Sequence, residues 1–312
     1  MIIEKTVQEI LSAKKYSGLD RSVVERICSQ IAPRYTKHKD AIKAIKTELH
    51  IIYGAFLSRD CHARAGSLID GYIGEDIYSD RDFAARLMEL HISTAERAAD
   101  AEGIYSLVSD WIRPDDTLTD IGCGFNPFAL PFLKNMPKSY IAYDICTRTI
   151  NLLNRYFAPL CPRYRAELSD AITQIPPDLL KRTQCEPAYE ALASLVGESS
   201  GSPVGEAVAP LVGESAGSPV GETAEPARVI FMFKIFPLLE QQKKGRAFEL
   251  LRTMEYQTAI ISFPTKSSSG RERGMEAFYT DMFHRGLPDG LTILDKAVFN
   301  NEMFFIVRKQ GI

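Results

Sequence analysis

Residues Thr117 to Pro127, Thr-Leu-Thr-Asp-Ile-Gly-Cys-Gly-Phe-Asn-Pro, constrain this chain more than any other stretch. Leu118 and Ile121 read as a buried strand that breaks at Gly122 and Gly124. Such glycines let the chain turn sharply and let its backbone lie against a ligand with no Cβ in the way. A strand running into a glycine loop early in an α/β unit is where these folds seat a nucleotide-like ligand. A dinucleotide fingerprint wants a third glycine three residues on, but that position is Pro127, and no phosphate-loop Gly-Lys-Ser/Thr follows. The expected ligand is therefore adenosine-like without a pyrophosphate, and S-adenosylmethionine fits.

The next strand, Ser139 to Ile145, is an apolar run that ends at Asp144. This acid lies about twenty residues past the loop, where nucleotide folds hold a ribose by its hydroxyls. A strand-end acid can also simply cap the helix that follows. From Tyr105 onward, helix and strand alternate. Strands are expected at 118–122, 139–144, 163–168, 228–234 and 257–263, with helices at 147–157 and 239–254. A terminal hairpin is expected over 291–295 and 302–308. Alternation of this kind implies an α/β fold with a largely parallel, doubly wound sheet.

Residues 1–97 read differently. Val7, Ile10 and Leu11, then Val23, Val24 and Ile27, then Ile42, Ile45, Leu49, Ile52 and Tyr53 recur at helical spacing. Asp20 is placed to cap the second helix. A break is expected over 66–74, a further helix over 83–90, and a helix start at Ser93 or Thr94 with Glu96. Residues 1–64 carry twelve Lys and Arg against seven Asp and Glu, although the whole chain has a net charge of −3. A basic terminal segment suits a polyanion, and a solvated helical face would look the same. Lys14, Lys15, Lys43 and Lys46 are its candidate RNA contacts.

The opposite charge is concentrated in one place. Residues 185–226 hold seven Glu and no Lys or Arg. Within them, 195–210 and 211–226 are near-copies, identical at twelve of sixteen positions. Gly, Ser, Pro and Glu cannot bury a core, so this insert is expected to be a flexible acidic loop with no catalytic part. No apolar run approaches the ~20 residues of a membrane span. The six cysteines form no Cys-x-x-Cys pair, which favours a reduced cytoplasmic chain and gives no zinc or other metal site.

The sequence over the reaction centre narrows the chemistry. Lys234-Ile-Phe-Pro ends the fourth strand, where amino methylation of adenine or cytosine usually shows Asp/Asn-Pro-Pro-Tyr/Phe. Carbon-5 methylation of pyrimidines needs a cysteine nucleophile there or on the next strand, and neither has one. An acceptor that is already nucleophilic remains. Guanine N7 carries a free in-plane lone pair and no proton, so its methylation needs alignment and no general base. Beyond the fifth strand, the loop Ser267 to Met275 presents Lys266, Arg271 and Arg273 for phosphates.

Several separated motifs together resemble the aminoglycoside-resistance 16S rRNA (guanine-N7) methyltransferases, the Arm/Rmt group. They are Ser12-Ala-Lys-Lys-Tyr16, Leu49-His-x-x-Tyr-Gly-Ala-Phe56, His91-x-Ser-Thr-x-Glu-Arg97 and Asp120-x-x-Cys-Gly-x-Asn-Pro127. Lys234-x-x-Pro-x-Leu-Glu-Gln-Gln242, Ser262-Phe-Pro-Thr-Lys-Ser267, Gly274-Met275 and Asn301-Glu302 complete the set. The resemblance implies an N-terminal all-helical domain (1–97) that docks on 16S rRNA within the 30S ribosomal subunit. It also implies a Rossmann-like class I SAM-dependent methyltransferase domain (98–312). The implied product is an N7-methylated decoding-site guanine and resistance to aminoglycosides, made by a monomeric cytoplasmic enzyme.

Implied cofactor contacts are Phe56, His91, Ile92, Ser93, Arg97, Gly122, Gly124, Asp144, Asp170, Ala171, Phe233 and Gln242, with Arg97 on the methionine carboxylate. Asp170 is where related folds hold the adenine amino group. Lys234, Lys266, Arg271 and Met275 resemble the family's rRNA-gripping positions, with Lys234 and Lys266 placing the target. Two features depart from the family: the 185–226 insert, and Gln241 where some members have a basic residue. Two alternatives stay open on the sequence: methylation of another RNA position or of a small molecule, and an inactive RNA-binding protein of the same fold.

Overall fold

The computed structural model describes residues 2–180, 228–266, 274–299 and 301–310. The duplicated insert, Arg271 and Arg273 lie outside the described residues. Seven strands form one sheet in the order β3-β2-β1-β4-β5-β7-β6. They are β1 (Thr117–Ile121), β2 (Ser139–Asp144), β3 (Tyr164–Leu168), β4 (Arg228–Phe233), β5 (Thr258–Pro264), β6 (Leu291–Phe299) and β7 (Glu302–Lys309). β1 to β5 run parallel, and the β6–β7 hairpin adds antiparallel through β7. All seven expected strands are present, the edges differing by a residue or a few.

Alternation along each strand divides the sheet's apolar groups between two cores. Val229, Phe231 and Phe233 enter one with Leu118, Ile260 and Phe304. Ile230 and Met232 enter the other with Ile121, Ile261 and Phe305. Strands covered on both faces need near-continuous apolar runs, as Val-Ile-Phe-Met-Phe of β4 supplies.

Ahead of the sheet come α1 (Ile2–Ser12), α2 (Arg21–Ile31), α3 (His38–Leu49), α4 (Cys61–Asp70), α5 (Arg81–Met88), α6 (Ile92–Ala98) and α7 (Ala101–Ser109). Asp20 caps α2, its Oδ1 accepting from the Ser22 amide at 2.9 Å. The third core unites α1 to α3 with Tyr53 and with Cys146 from beyond β2. Residues of α4, α5 and α7 instead join the first sheet core, so the expected helical region 1–97 is divided between two cores. The helical core is stitched to the sheet by main-chain bonds from the Asp20 amide to Ile145 O (2.9 Å) and from the Thr147 amide to Gly18 O (2.8 Å).

Three local expectations are corrected. The break expected at 66–74 begins only at Gly71, and Gly66 lies inside α4. A Cβ on Gly66 would lie 3.2 Å from Arg155 Nη1 on α8 (Thr147–Phe157), so Gly66 serves close packing, not a turn. The expected helix 239–254 is two helices, α9 (Phe236–Gln242) and α10 (Arg246–Thr253). Glu240 enforces the division, its carboxylate accepting from the amides of Gly245 (2.8 Å) and Ala247 (2.9 Å). The helix expected to reach Tyr53 ends at Leu49 and widens into a π turn, His50–Gly54, closed by the Ala55 amide on His50 O at 2.7 Å. The last described helix is α11 (Met275–Gly286).

Candidate functional site

The chain reverses its strand order between β1 and β4, and an open α/β sheet leaves a crevice for ligands outside the carboxyl ends of such strands. A cleft with about 870 Å³ of empty space, counted out to its mouth, lies there. It gathers Phe56, His91, Ser93, Gly122, Gly124, Asp144, Asp170, Ala171, Phe233, Lys234 and Gln242, all placed at a site by the sequence reading.

The glycine loop forms the floor. Gly122 has φ +66°, and a Cβ there would lie 2.1 Å from Ile235 Cδ1. Gly124 (φ +51°) passes close to the His91 ring, where a Cβ would meet Cε1 at 3.1 Å. Asp144 ties this loop to β2: Oδ2 accepts from the Gly124 amide at 3.0 Å and Oδ1 from the Cys146 amide at 2.9 Å. Burial pushes its carboxyl above the ordinary carboxylate range, against the pull of those amides. A carboxylate so held keeps lone pairs for hydroxyl donors in the cleft.

His91 stacks on Phe125, with ring centroids 5.1 Å apart, and its Nδ1 lies 3.0 Å from Ser93 Oγ. Burial, with the charges of His62 and Arg97, brings its pKa down to about 3, so the ring is neutral at pH 7. The apolar side chains of Ile52, Ile145, Ile172 and Leu238 line the same cleft. The π turn is what aims Ile52 and Tyr53 here; such a widening inside a helix is frequent at functional sites.

Two implied cofactor contacts are not on the wall. Ile92 is exposed, and only its amide bonds inward, to Phe56 O at 2.9 Å. Arg97 is 2% exposed and lies behind Phe233, its Cζ 5.1 Å from that ring's centre. Its Nε donates to Glu302 Oε2 at 3.1 Å, and Nη1 donates to Tyr105 Oη (3.2 Å) and Asn126 Oδ1 (2.5 Å). A buried guanidinium must find acceptors, and those within the fold have taken these nitrogens. The bonds to Glu302, Tyr105 and Asn126 engage Nε and Nη1.

Lys234 ends β4 with φ +57°, in the left-handed region. Its amide donates to Ser262 Oγ at 3.0 Å, and its Nζ pairs with Glu96 Oε2 (2.5 Å) and Glu302 Oε2 (3.1 Å). It lines the cleft, but its ammonium is committed to two carboxylates and is not presented as a phosphate grip. Glu302, 2% exposed, is the shared acceptor of Arg97 and Lys234. Asn301-Glu302 is legible in the sequence as a motif, but no spacing in the chain joins residues 97, 234 and 302.

The candidate RNA contacts lie elsewhere on the surface. Lys43 and Lys46 line a shallow groove with Lys39 and His50, and Lys15 Nζ is 3.0 Å from Nδ1 of that histidine. Lys14 turns to Asp60, its Nζ 2.9 Å from Oδ1. Lys266 follows β5, and Met275 opens α11. Sequence reasoning missed Arg26, which reaches the cleft from α2. Among the described residues, no cluster of three or more His, Cys, Asp or Glu could hold a metal ion, and no helix is long and apolar enough to cross a membrane.

This geometry has counterparts. The chain matches the model of the ribosomal RNA methyltransferase (FmrO) family over residues 12–192 and 216–306. The residues skipped between those spans fall in the acidic, duplicated stretch. A 16S rRNA (guanine(1405)-N(7))-methyltransferase of Proteus mirabilis is 28% identical, covering 98% of this chain and 97% of that protein. A protein of the same name from Serratia marcescens is 27% identical across 100% of both chains. The crystal structure of the 16S rRNA methyltransferase RmtF in complex with S-adenosyl-L-homocysteine is similar at a TM-score of 0.75 and 28% identity, covering 99% of this chain and 98% of that one. With the family model spanning most of its length, the chain belongs to the FmrO family of ribosomal RNA methyltransferases.

Proposed function

We propose that this protein transfers the methyl group of S-adenosylmethionine to N7 of a decoding-site guanine of 16S rRNA, and that the modification confers aminoglycoside resistance. The observation that carries the reading is the cleft at the β1/β4 reversal, floored by Gly122 and Gly124 and flanked by Asp144 and Asp170, in a chain whose full-length relatives bear that activity in their names. The residues present suit the cofactor: a floor that admits no Cβ at Gly122, an acid anchored beside it, and apolar side chains to meet a base. When bound, S-adenosylmethionine supplies an electrophilic sulfonium methyl group.

The protein's own part is placement. Asp144 is positioned for ribose hydroxyls, and Asp170 for an amino donor. Phe233 and Lys234 form the wall at the reaction edge. Lys15, Lys39, Lys43 and Lys46 share a face that fits rRNA phosphates, and Lys266, just past β5, and Met275, at the start of α11, are the further candidates. A paired guanine shows N7 only in the deep, narrow major groove of A-form RNA. The target base must therefore leave its helix, at a cost of about a few kcal/mol that phosphate contacts offset. The assembled 30S subunit is the proposed substrate, and a cytoplasmic monomer the proposed acting form.

The direct test is incorporation of radiolabelled methyl from S-adenosylmethionine into 30S subunits, with the base mapped by borohydride–aniline cleavage. One N7-methylguanine in the decoding site is expected. No incorporation into 30S, or a label at another base, overturns the assignment.

A further inference from the structure

We infer that Arg26, on α2 of the helical region, is a positioning residue for the adenine of the cofactor. It would hold Asp170 and Gln242 as one recognition edge. The inference rests on the cleft being the S-adenosylmethionine site, and it concerns this chain's own wall.

Arg26 is separated from Asp170 by 144 residues and from Gln242 by 216, yet it joins them. Its Nε donates to Asp170 Oδ2 at 2.7 Å, and its Nη2 donates to Gln242 Oε1 at 3.1 Å. The side chains of Arg26 and Asp170 are 12% and 7% exposed, and all three residues line the cleft. A guanidinium is a planar fork, so two bonds from it fix the relative attitude of both partners.

The consequences for each partner follow from their remaining bonds. The other Asp170 oxygen, Oδ1, accepts from the Ile172 amide at 3.0 Å. Each carboxylate oxygen thus has one bond and a lone pair to spare, and a 6-amino group is the complementary donor. The Gln242 amide is oriented from both ends, Oε1 by Arg26 and Nε2 by Leu238 O at 3.3 Å. Arg26 Nη1 is buried and has no partner among the described residues. A buried donor left unmatched is rare in folded proteins and signals a group that a ligand or water completes. An acceptor nitrogen of the purine ring beside that amino group has the required chemistry. The helical region therefore supplies part of the cofactor site, as well as its basic face.

The test measures discrimination, which a loss of stability alone does not change. Binding of S-adenosylhomocysteine and of S-inosylhomocysteine, whose 6-position carries oxygen in place of the amino group, is measured by calorimetry. The proteins compared are the wild type, Arg26→Ala and Arg26→Gln. The wild type should prefer the amino ligand by at least about tenfold, because a site built for a hydrogen-bond donor rejects its replacement strongly. In Arg26→Ala the preference should fall to within about threefold, through weaker binding of the amino ligand. Arg26→Gln, which keeps the stem and one amide donor, should be intermediate, and it is the variant read if the alanine protein does not fold. A substitution that weakens both ligands equally and leaves the ratio at its wild-type value overturns the inference. So does a wild type that fails to discriminate. The readout lies wholly on the cofactor side, so a failure to methylate 30S subunits would refute the RNA reading without imitating either result.

Discussion

Replacing Glu302 by glutamine isolates the group on which the buried charges depend. The substitution keeps size and shape, and the atom at the Oε1 position can still accept from Ser262 Oγ. The atom at the Oε2 position becomes a donor facing two donors, Arg97 Nε and Lys234 Nζ, each 3.1 Å away. Arg97 and Glu302 are each 2% exposed and Lys234 is 8% exposed, so solvent does little to compensate. Removing one partner of such a buried pair costs about 3–5 kcal/mol, mostly as the desolvation of the charge left behind. Whole proteins are stable by roughly 5–15 kcal/mol, so Glu302→Gln should remove a large share.

Urea unfolding followed by circular dichroism measures this directly, and the melting temperature should fall by on the order of 10 °C. Lys234 supplies a second reading. Its left-handed backbone costs about 1–2 kcal/mol for a non-glycine residue, so it must be held by its surroundings. Without Glu302 its ammonium keeps only Glu96, and methyl transfer should fall further than cofactor affinity. A stability loss below about 1 kcal/mol would refute the argument that Glu302 neutralises both cations. A double-mutant cycle with Arg97→Met should show coupling of roughly 1–3 kcal/mol, since the second substitution removes a charge already stranded.

Other consequences of the geometry can be checked independently. Gly122→Ala places a methyl where Ile235 Cδ1 would be 2.1 Å away, in a left-handed conformation costing about 1–2 kcal/mol. Ile235 must rotate, and S-adenosylhomocysteine affinity should drop by at least about tenfold; unchanged affinity would show that the floor is not where the ligand lies. Acidification should destabilise the protein. His91 and His62 are held neutral, with folded values near 3 and 4 against the ordinary 6.5, so their contribution is complete above pH 6.5 and is lost as pH falls. Asp120, raised by burial to about 6, acts in the opposite sense and regains stability on protonation. At about 1.4 kcal/mol per group per pH unit, the two histidines outweigh Asp120 by roughly 2 kcal/mol between pH 6.5 and 5, a margin that Asp144, also raised by burial, narrows. A urea midpoint that rises over that interval would contradict the balance. Lys266→Glu should weaken binding to 30S subunits while leaving S-adenosylhomocysteine affinity unchanged; a parallel loss of both would give the loop a structural role.

How far the sequence could be read depended on the range of the interactions. The strands are visible because each is a short apolar run bounded by turn residues, and β1 announces its ligand by ending in two glycines. Asp144 could be placed at the cleft because the distance from the glycine loop to the acid ending the next strand is set by one βαβ unit. Gly66 misled because a glycine inside a helix and a glycine ending one look alike; only the Arg155 side chain packed against it distinguishes them. The division between α9 and α10 is local, but it turns on where the Glu240 carboxylate points. Arg26, Glu302 and the bonds of Arg97 were illegible for a stronger reason: Arg26 depends on partners 144 and 216 residues away, and Arg97 and Glu302 meet across 205. Resemblance carried Arg97 to the cofactor by position; its bonds to Glu302 and Asn126 had no signal in the sequence.

The described titratable groups on the cleft wall bear on which acceptor the site can serve. A general base working near neutral pH needs a value close to the operating pH and a place beside the acceptor. His91 lines the cleft, but at about 3 it is too weak a base to hold a proton at neutral pH. Asp120, at about 6, has a suitable value but the wrong place. It is 1% exposed, and its Oδ2 accepts from Asn126 Nδ2 and Tyr140 Oη, both at 2.7 Å, within the core. Its network continues through Asn126 to Arg97 and on to Glu302 and Lys234, so the polar groups beneath the glycine loop form a scaffold that orients the reaction edge. Such a site suits an acceptor that is already nucleophilic, as guanine N7 is. Single-turnover methyl transfer on saturated 30S subunits should therefore be flat between about pH 6.5 and 8.5, with no titrating base in the step. A rate that climbs about tenfold per pH unit across that range would mean that a proton leaves the acceptor before the methyl arrives, and would remove N7 from consideration.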